Sequence, residues 1–75
     1  MEIEDMGDVS GFESMPKERQ FYFTAVRYEG DGELWFAGPS GYEKDAVIDS
    51  LQNWSGISGA RIYAVKLPVK SHPLT

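Results

Sequence analysis

Seventy-five residues with twelve acids, seven bases and no cysteine set the bounds. A chain this short makes one domain, near the lower limit at which a single core holds without staples. Without cysteine, disulfides and thiolate metal sites are excluded. No apolar run approaches the roughly 20 residues needed to span a bilayer. The acidic start Met1-Glu2-Ile3-Glu4-Asp5 is the opposite of a signal peptide's basic one, so a cytoplasmic protein with no membrane partner is expected.

Charge is unevenly placed along the chain. Glu2, Glu4, Asp5, Asp8 and Glu13 precede any lysine or arginine and account for the whole net charge of −5. From Pro16 onward acids and bases balance, but the last acid is Asp49, and beyond it lie Arg61, Lys66, Lys70 and His72. Residues 1–16 alternate acids with single hydrophobes and glycines, and their composition predicts a disordered acidic tail. The sharper alternative is an acidic-hydrophobic segment that folds onto a partner, or onto the chain's own basic strip.

The longest strand-favouring run is Phe21-Tyr22-Phe23-Thr24-Ala25-Val26-Arg27-Tyr28, with large apolar side chains on both faces. Gly30-Asp31-Gly32 supplies the positive-φ positions of a hairpin, and a short strand over residues 33–37 ends at Gly38-Pro39. Ser40 and Glu43 have the spacing of a capping box. The helix after it is predicted to reach about Trp54, with Val47, Leu51 and Trp54 on one stripe and Gly56 at its C-terminal turn. Residues 57–60 read as a connection, Arg61–Leu67 as the third strand closed by Pro68, and residues 69–75 as a loose tail.

The pattern predicts one α+β domain over residues 17–68. It is β-β-α-β, a three-stranded antiparallel or mixed sheet of order 2-1-3 with one helix on one face. By size, Phe21, Phe23, Ala25, Leu34 and Phe36 go to the helix side, with Tyr63, Val65 and Leu67 of the third strand. Tyr22, Tyr28, Trp35 and Lys66 are then left on an uncovered face, with Arg27 next to Tyr28 in sequence. Tyr, Trp and Arg are the residues enriched at binding hot spots. Tyr22, Arg27, Tyr28, Trp35 and Lys66 are therefore candidate partner-binding residues.

Enzymatic chemistry has little to work with. The only histidine, His72, lies in a Pro-flanked tail, no nucleophile elbow or Walker lysine occurs, and Gly30-Asp31-Gly32 lacks the later ligands of a calcium loop. A non-enzyme with no cofactor and no metal is expected. Exposed aromatics with lysine and arginine are also how single-stranded nucleic acid is held, but the acidic balance argues against it. The remaining alternative is a homo-oligomeric structural or adaptor module whose sheet face is sealed by a second copy.

From Phe21 to Pro68 the order β-β-α-β, a helix ending in Trp54, a glycine-containing turn and a basic last strand closing at Pro68 resemble the small RNA polymerase inhibitors of podophages. That family carries two arginines on its third strand; the nearest counterparts here are Lys66 and Arg61, and the resemblance adds Arg61 to the candidate partner-binding residues. The resemblance implies a phage-type inhibitor or modulator of a larger bacterial protein, with RNA polymerase the first candidate.

Overall fold

A computed structural model describes residues 2–11, 18–30 and 32–68. In chain order they form β1 (Glu2–Asp8), β2 (Glu18–Tyr28), β3 (Phe36–Gly41), α1 (Lys44–Gln52) and β4 (Ile57–Pro68). The strands make a single mixed sheet in the order β1-β4-β2-β3. β2 is antiparallel to both β3 and β4, and β1 runs parallel to β4. The fold is thus a small α+β domain with one helix.

The expected three-stranded sheet is corrected to four strands. Glu2–Asp8, expected as disordered tail, is the fourth, and it turns β4 from an edge into an interior strand. Residues 12–16 of that expected tail, and the expected C-terminal tail 69–75, lie outside the described residues. The physical reason for the extra strand is charge and one apolar anchor. β1 lies along the basic edge of β4, and Ile3, opposite Ala60, packs against the core.

That core lies beneath α1. Val47 and Leu51, one turn apart on the helix, are buried, and Leu51 is fully enclosed. Leu51 meets Val26 of β2 with Ile57 and Ala60 of β4, and Ile62 and Ala64 complete the buried set. Thr24 is the one buried polar residue in that set, and its hydroxyl donates to the Pro39 carbonyl at 2.7 Å. Even-numbered positions of β2, and of β4 from Ala60 onward, therefore face the helix, and the register shift opposite Arg27 and Tyr28 puts Ile57 on the same side. This reverses the expectation from size: Phe21, Phe23, Ala25, Tyr63, Val65 and Leu67 take the opposite face. Leu34 is exposed rather than packed under the helix.

Local boundaries shift for identifiable reasons. The expected break at Gly38-Pro39 does not end β3; it lies in a bulge, where the register with β2 slips between Phe23 and Ala25. A Cβ on Gly38 would collide with Thr24 Oγ1 and come within 2.9 Å of Val26 Cγ1, so only glycine lets the bulged backbone lie on β2. Because Ser40 is in β3, no capping box forms: α1 starts at Lys44 behind Glu43, which makes no side-chain cap. The helix ends at Gln52, two residues short of Trp54. Gly30 and Gly32 do adopt positive φ, at 88° and 67°, in the β2–β3 turn.

Candidate functional site

Alternation on β2 and β4 puts arginines and large rings on the face away from α1, and no described element covers that face. Phe23 and Tyr63 are opposite one another on the two central strands and stack with centroids 5.0 Å apart at 8°. To one side, Phe21 meets Tyr42 edge-on at 5.1 Å, and the Arg19 guanidinium lies 4.0 Å from the Tyr42 ring centre. To the other side lies the tightest grouping. Arg27 of β2 and Arg61 of β4 both lie over the Trp35 ring, at 5.1 and 4.4 Å.

The elements explain this grouping. Trp35 immediately precedes β3, so continuing the β2–β3 register sets it beside Arg27. Gly59 is opposite Arg27 on β4 and carries no side chain to block the guanidinium. Arg61 is one step further along the same face of β4. Together with Glu2 and Glu4 they line a shallow cleft of about 90 Å³. Ligand pockets usually run to roughly 300–1,000 Å³, so this cleft is well below the size of a metabolite pocket.

Of the six sequence-predicted residues, Arg27, Trp35 and Arg61 come together and the other three do not. Tyr22, Tyr28 and Lys66 lie on the helix side, which corrects the expectation that they share an uncovered face with Trp35. The reason is the face reversal: Tyr22 and Tyr28 share the parity of Thr24 and Val26, which are buried under α1. Tyr22 donates to Gln20 Oε1 at 2.9 Å. Tyr28 packs against the core and links Phe36 (5.5 Å, edge-on) to Trp54 (6.5 Å, stacked). Phe36 and Trp54 remain 42% and 37% exposed, so this aromatic cluster is also open to solvent. Sequence reasoning omitted Arg19, Tyr42, Phe21, Phe23 and Tyr63 from the open face. Their period-2 spacing was visible, but period alone does not say which face a helix covers.

The acids of β1 bear directly on this surface. Glu4 Oε1 lies 3.4 Å from Arg61 Nε, a contact without hydrogen-bond geometry, and that buried Nε–H has no other acceptor among the described residues. On the helix side Asp5 bonds Lys44 at 2.7 Å, and Lys66 lies 3.9 Å from both Asp8 and Glu18. The Lys44 ammonium, with help from the Gly7 amide, holds the Asp5 carboxyl below its ordinary value, and Asp5 in turn raises Lys44. The Ser10 hydroxyl and amide do the same to Asp8. The Asp5–Lys44 pair is exposed and the half-buried Lys66 contacts are long, so these pairs position β1 more than they stabilise the fold.

Among the described residues no group of three or more potential metal ligands gathers, and no helix is long and apolar enough to cross a membrane. No protein-family model, curated protein or solved structure matches the chain.

Proposed function

We propose that the chain is a small non-enzymatic protein-binding module that works through the helix-free face of its sheet. The observation that carries this reading is Trp35 held under two guanidiniums, Arg27 and Arg61, on a face that no described element covers. Tryptophan and arginine dominate interface energetics because each combines large contact area with directed polar groups. Stacking on the indole also orders both arginines before a partner arrives, which lowers the entropy lost on binding.

The narrower proposal rests on the sequence resemblance: a phage-type inhibitor or modulator of a larger bacterial protein, with RNA polymerase as the first target to try. Purified bacterial RNA polymerase should be retained by the immobilised full chain, and transcription in vitro should fall when the chain is added. Trp35→Ala combined with Arg61→Ala should abolish both effects while leaving the far-UV circular dichroism unchanged. Retention by the folded double variant would move the interface elsewhere; no retention by the natural chain would remove RNA polymerase as the target.

A second reading has one observation in its favour. The flat Phe23–Tyr63 stack on the two central strands is the kind of platform on which unpaired bases lie. It predicts binding to a labelled oligothymidylate with a steep salt dependence, which Phe23→Ala and Tyr63→Ala should each weaken.

A further inference from the structure

We propose that β1 is an exchangeable strand, and that the edge of β4 beneath it is an interaction surface for the same segment, Glu2–Asp8, of a second copy of this chain. Topology is the first ground. Among the described residues β1 hydrogen-bonds to β4 alone, the last described strand, and Glu2 is opposite Gly59. These partners lie further apart in sequence than any others in the sheet. Pairings that close the longest loop form late, after the β2–β3 hairpin, the helix and the β2–β4 ladder are available. Until β1 docks, β4 presents a twelve-residue edge with no proline before Pro68. An unpaired edge of that length captures any strand that matches it.

The match is specific, and nothing in it requires the strand to come from the same chain. Ile3 packs against the Val26, Leu51, Ile57 and Ala60 cluster. Glu4 meets Arg61, Asp5 meets Lys44 and Asp8 meets Lys66, each at 3.9 Å or less. Beyond the strand, the Val9 amide donates to the Ala64 carbonyl at 2.8 Å, and the Lys66 amide donates to Ser10 Oγ at 2.7 Å. A second copy carries all of these groups in the same order.

Retention in the monomer is correspondingly light. The Asp5–Lys44 and Glu4–Arg61 pairs are largely exposed, the Asp8–Lys66 pair is half-buried but long at 3.9 Å, and each is individually weak. The ladder is interrupted between Asp5 and Gly7, and Met6 at the interruption is exposed. β1 makes no ladder with β2, its neighbour in sequence, so releasing it breaks contacts with β4 and the seat of Ile3 but leaves the three-stranded remainder paired. Reciprocal exchange between two copies satisfies both edges and gives a closed two-fold dimer. What favours the monomer is that its own β1 is covalently attached, which gives it an effective concentration taken as on the order of 1 mM. Exchange should therefore be populated when chains refold together near that concentration.

The test is refolding of the natural chain from denaturant at about 10 µM and at about 2 mM, which bracket that effective concentration, followed by size exclusion with light scattering. The expected result is monomer at the lower concentration and a dimer peak at least about tenfold larger at the higher one, persisting after dilution because re-exchange requires opening. The Glu4→Cys/Arg61→Cys variant then reports which chain supplies the strand. Adjacent strands lie about 4.8 Å apart, within disulfide range. Oxidation should give intrachain bonds in the monomer peak and covalent dimer in the dimer peak. Should that variant fail to fold, isotope-filtered NMR on a dimer refolded from labelled and unlabelled natural chain should show Ile3–Ala60 contacts between chains. Monomer alone at about 2 mM would overturn the proposal, and so would a dimer whose Ile3–Ala60 contacts or disulfides are all within one chain.

Discussion

The two faces of this sheet come from the same strands yet are built on opposite rules. Beneath α1 lie Thr24, Val26, Ala60, Ile62 and Ala64, which are small or β-branched and nearly dry. On the other face Phe21, Phe23 and Tyr63 are large, and partly buried against their neighbours. The difference teaches that side-chain size does not choose the core. A nine-residue helix has only Val47 and Leu51 to bury, so it seals the sheet only where the strands let it approach closely. The rings of Phe21, Phe23 and Tyr63 go to the face without a helix, where they shield one another sideways by stacking.

The comparison can be broken most directly at the helix. Leu51→Ala should cost about 2–5 kcal/mol in urea denaturation, because a fully enclosed leucine leaves a cavity that a short helix cannot fill by moving. A loss below about 1 kcal/mol would mean that the helix side is not the core.

The next largest effect tests how closely β3 lies on the dry face. Gly38→Ala would drive a methyl group into the Thr24 hydroxyl and Val26, so a cost of about 1–3 kcal/mol is expected from overpacking. An unchanged denaturation midpoint would show that the bulge gives way freely.

On the wet face Phe23→Ala should cost only about 1–2 kcal/mol, part of a full aromatic burial plus the stack on Tyr63. If Phe23→Ala proved as costly as Leu51→Ala, a cover on the open face would have to exist, and the contrast between the faces would collapse.

The smallest effect is the pH response of β1, the strand that borders both faces. Asp5 and Asp8 are held below the ordinary carboxylate value of 3.8, so the folded state binds their protons less readily than the unfolded chain. Their contribution is complete above that value and is lost as pH falls through the lower folded values. Lys44 is raised above 10.5, so its contribution is complete below that value and is lost as pH rises through the higher folded value. Hydrogen exchange should therefore show less protection of the Val9 amide at about pH 3 than at about pH 6, relative to β2 amides. Equal relative protection at both would show that the carboxylates do not hold the strand.

Much of the local structure was legible in the residues. The run from Phe21 to Tyr28 could only be a strand, Gly30 and Gly32 had to turn the chain, and Val47 with Leu51 marked the buried stripe of a helix. Three of the candidate contact residues, Arg27, Trp35 and Arg61, also meet as a group. Each of these conclusions rests on a period or a backbone preference that neighbours in sequence determine.

What only the tertiary structure decided was which side of that period faces inward, and where the acidic segment goes. Alternation is symmetric, so β2 read alone allows either face to meet the helix; the bulge at Gly38 and the small residues of β4 break the tie. The helix starts late because β3 draws Ser40 into its ladder with Phe23, a long-range bond that outweighs a local cap. Glu2–Asp8 shows no strand signal of its own. It becomes one because β4, more than fifty residues further along, presents a basic edge and an apolar seat for Ile3.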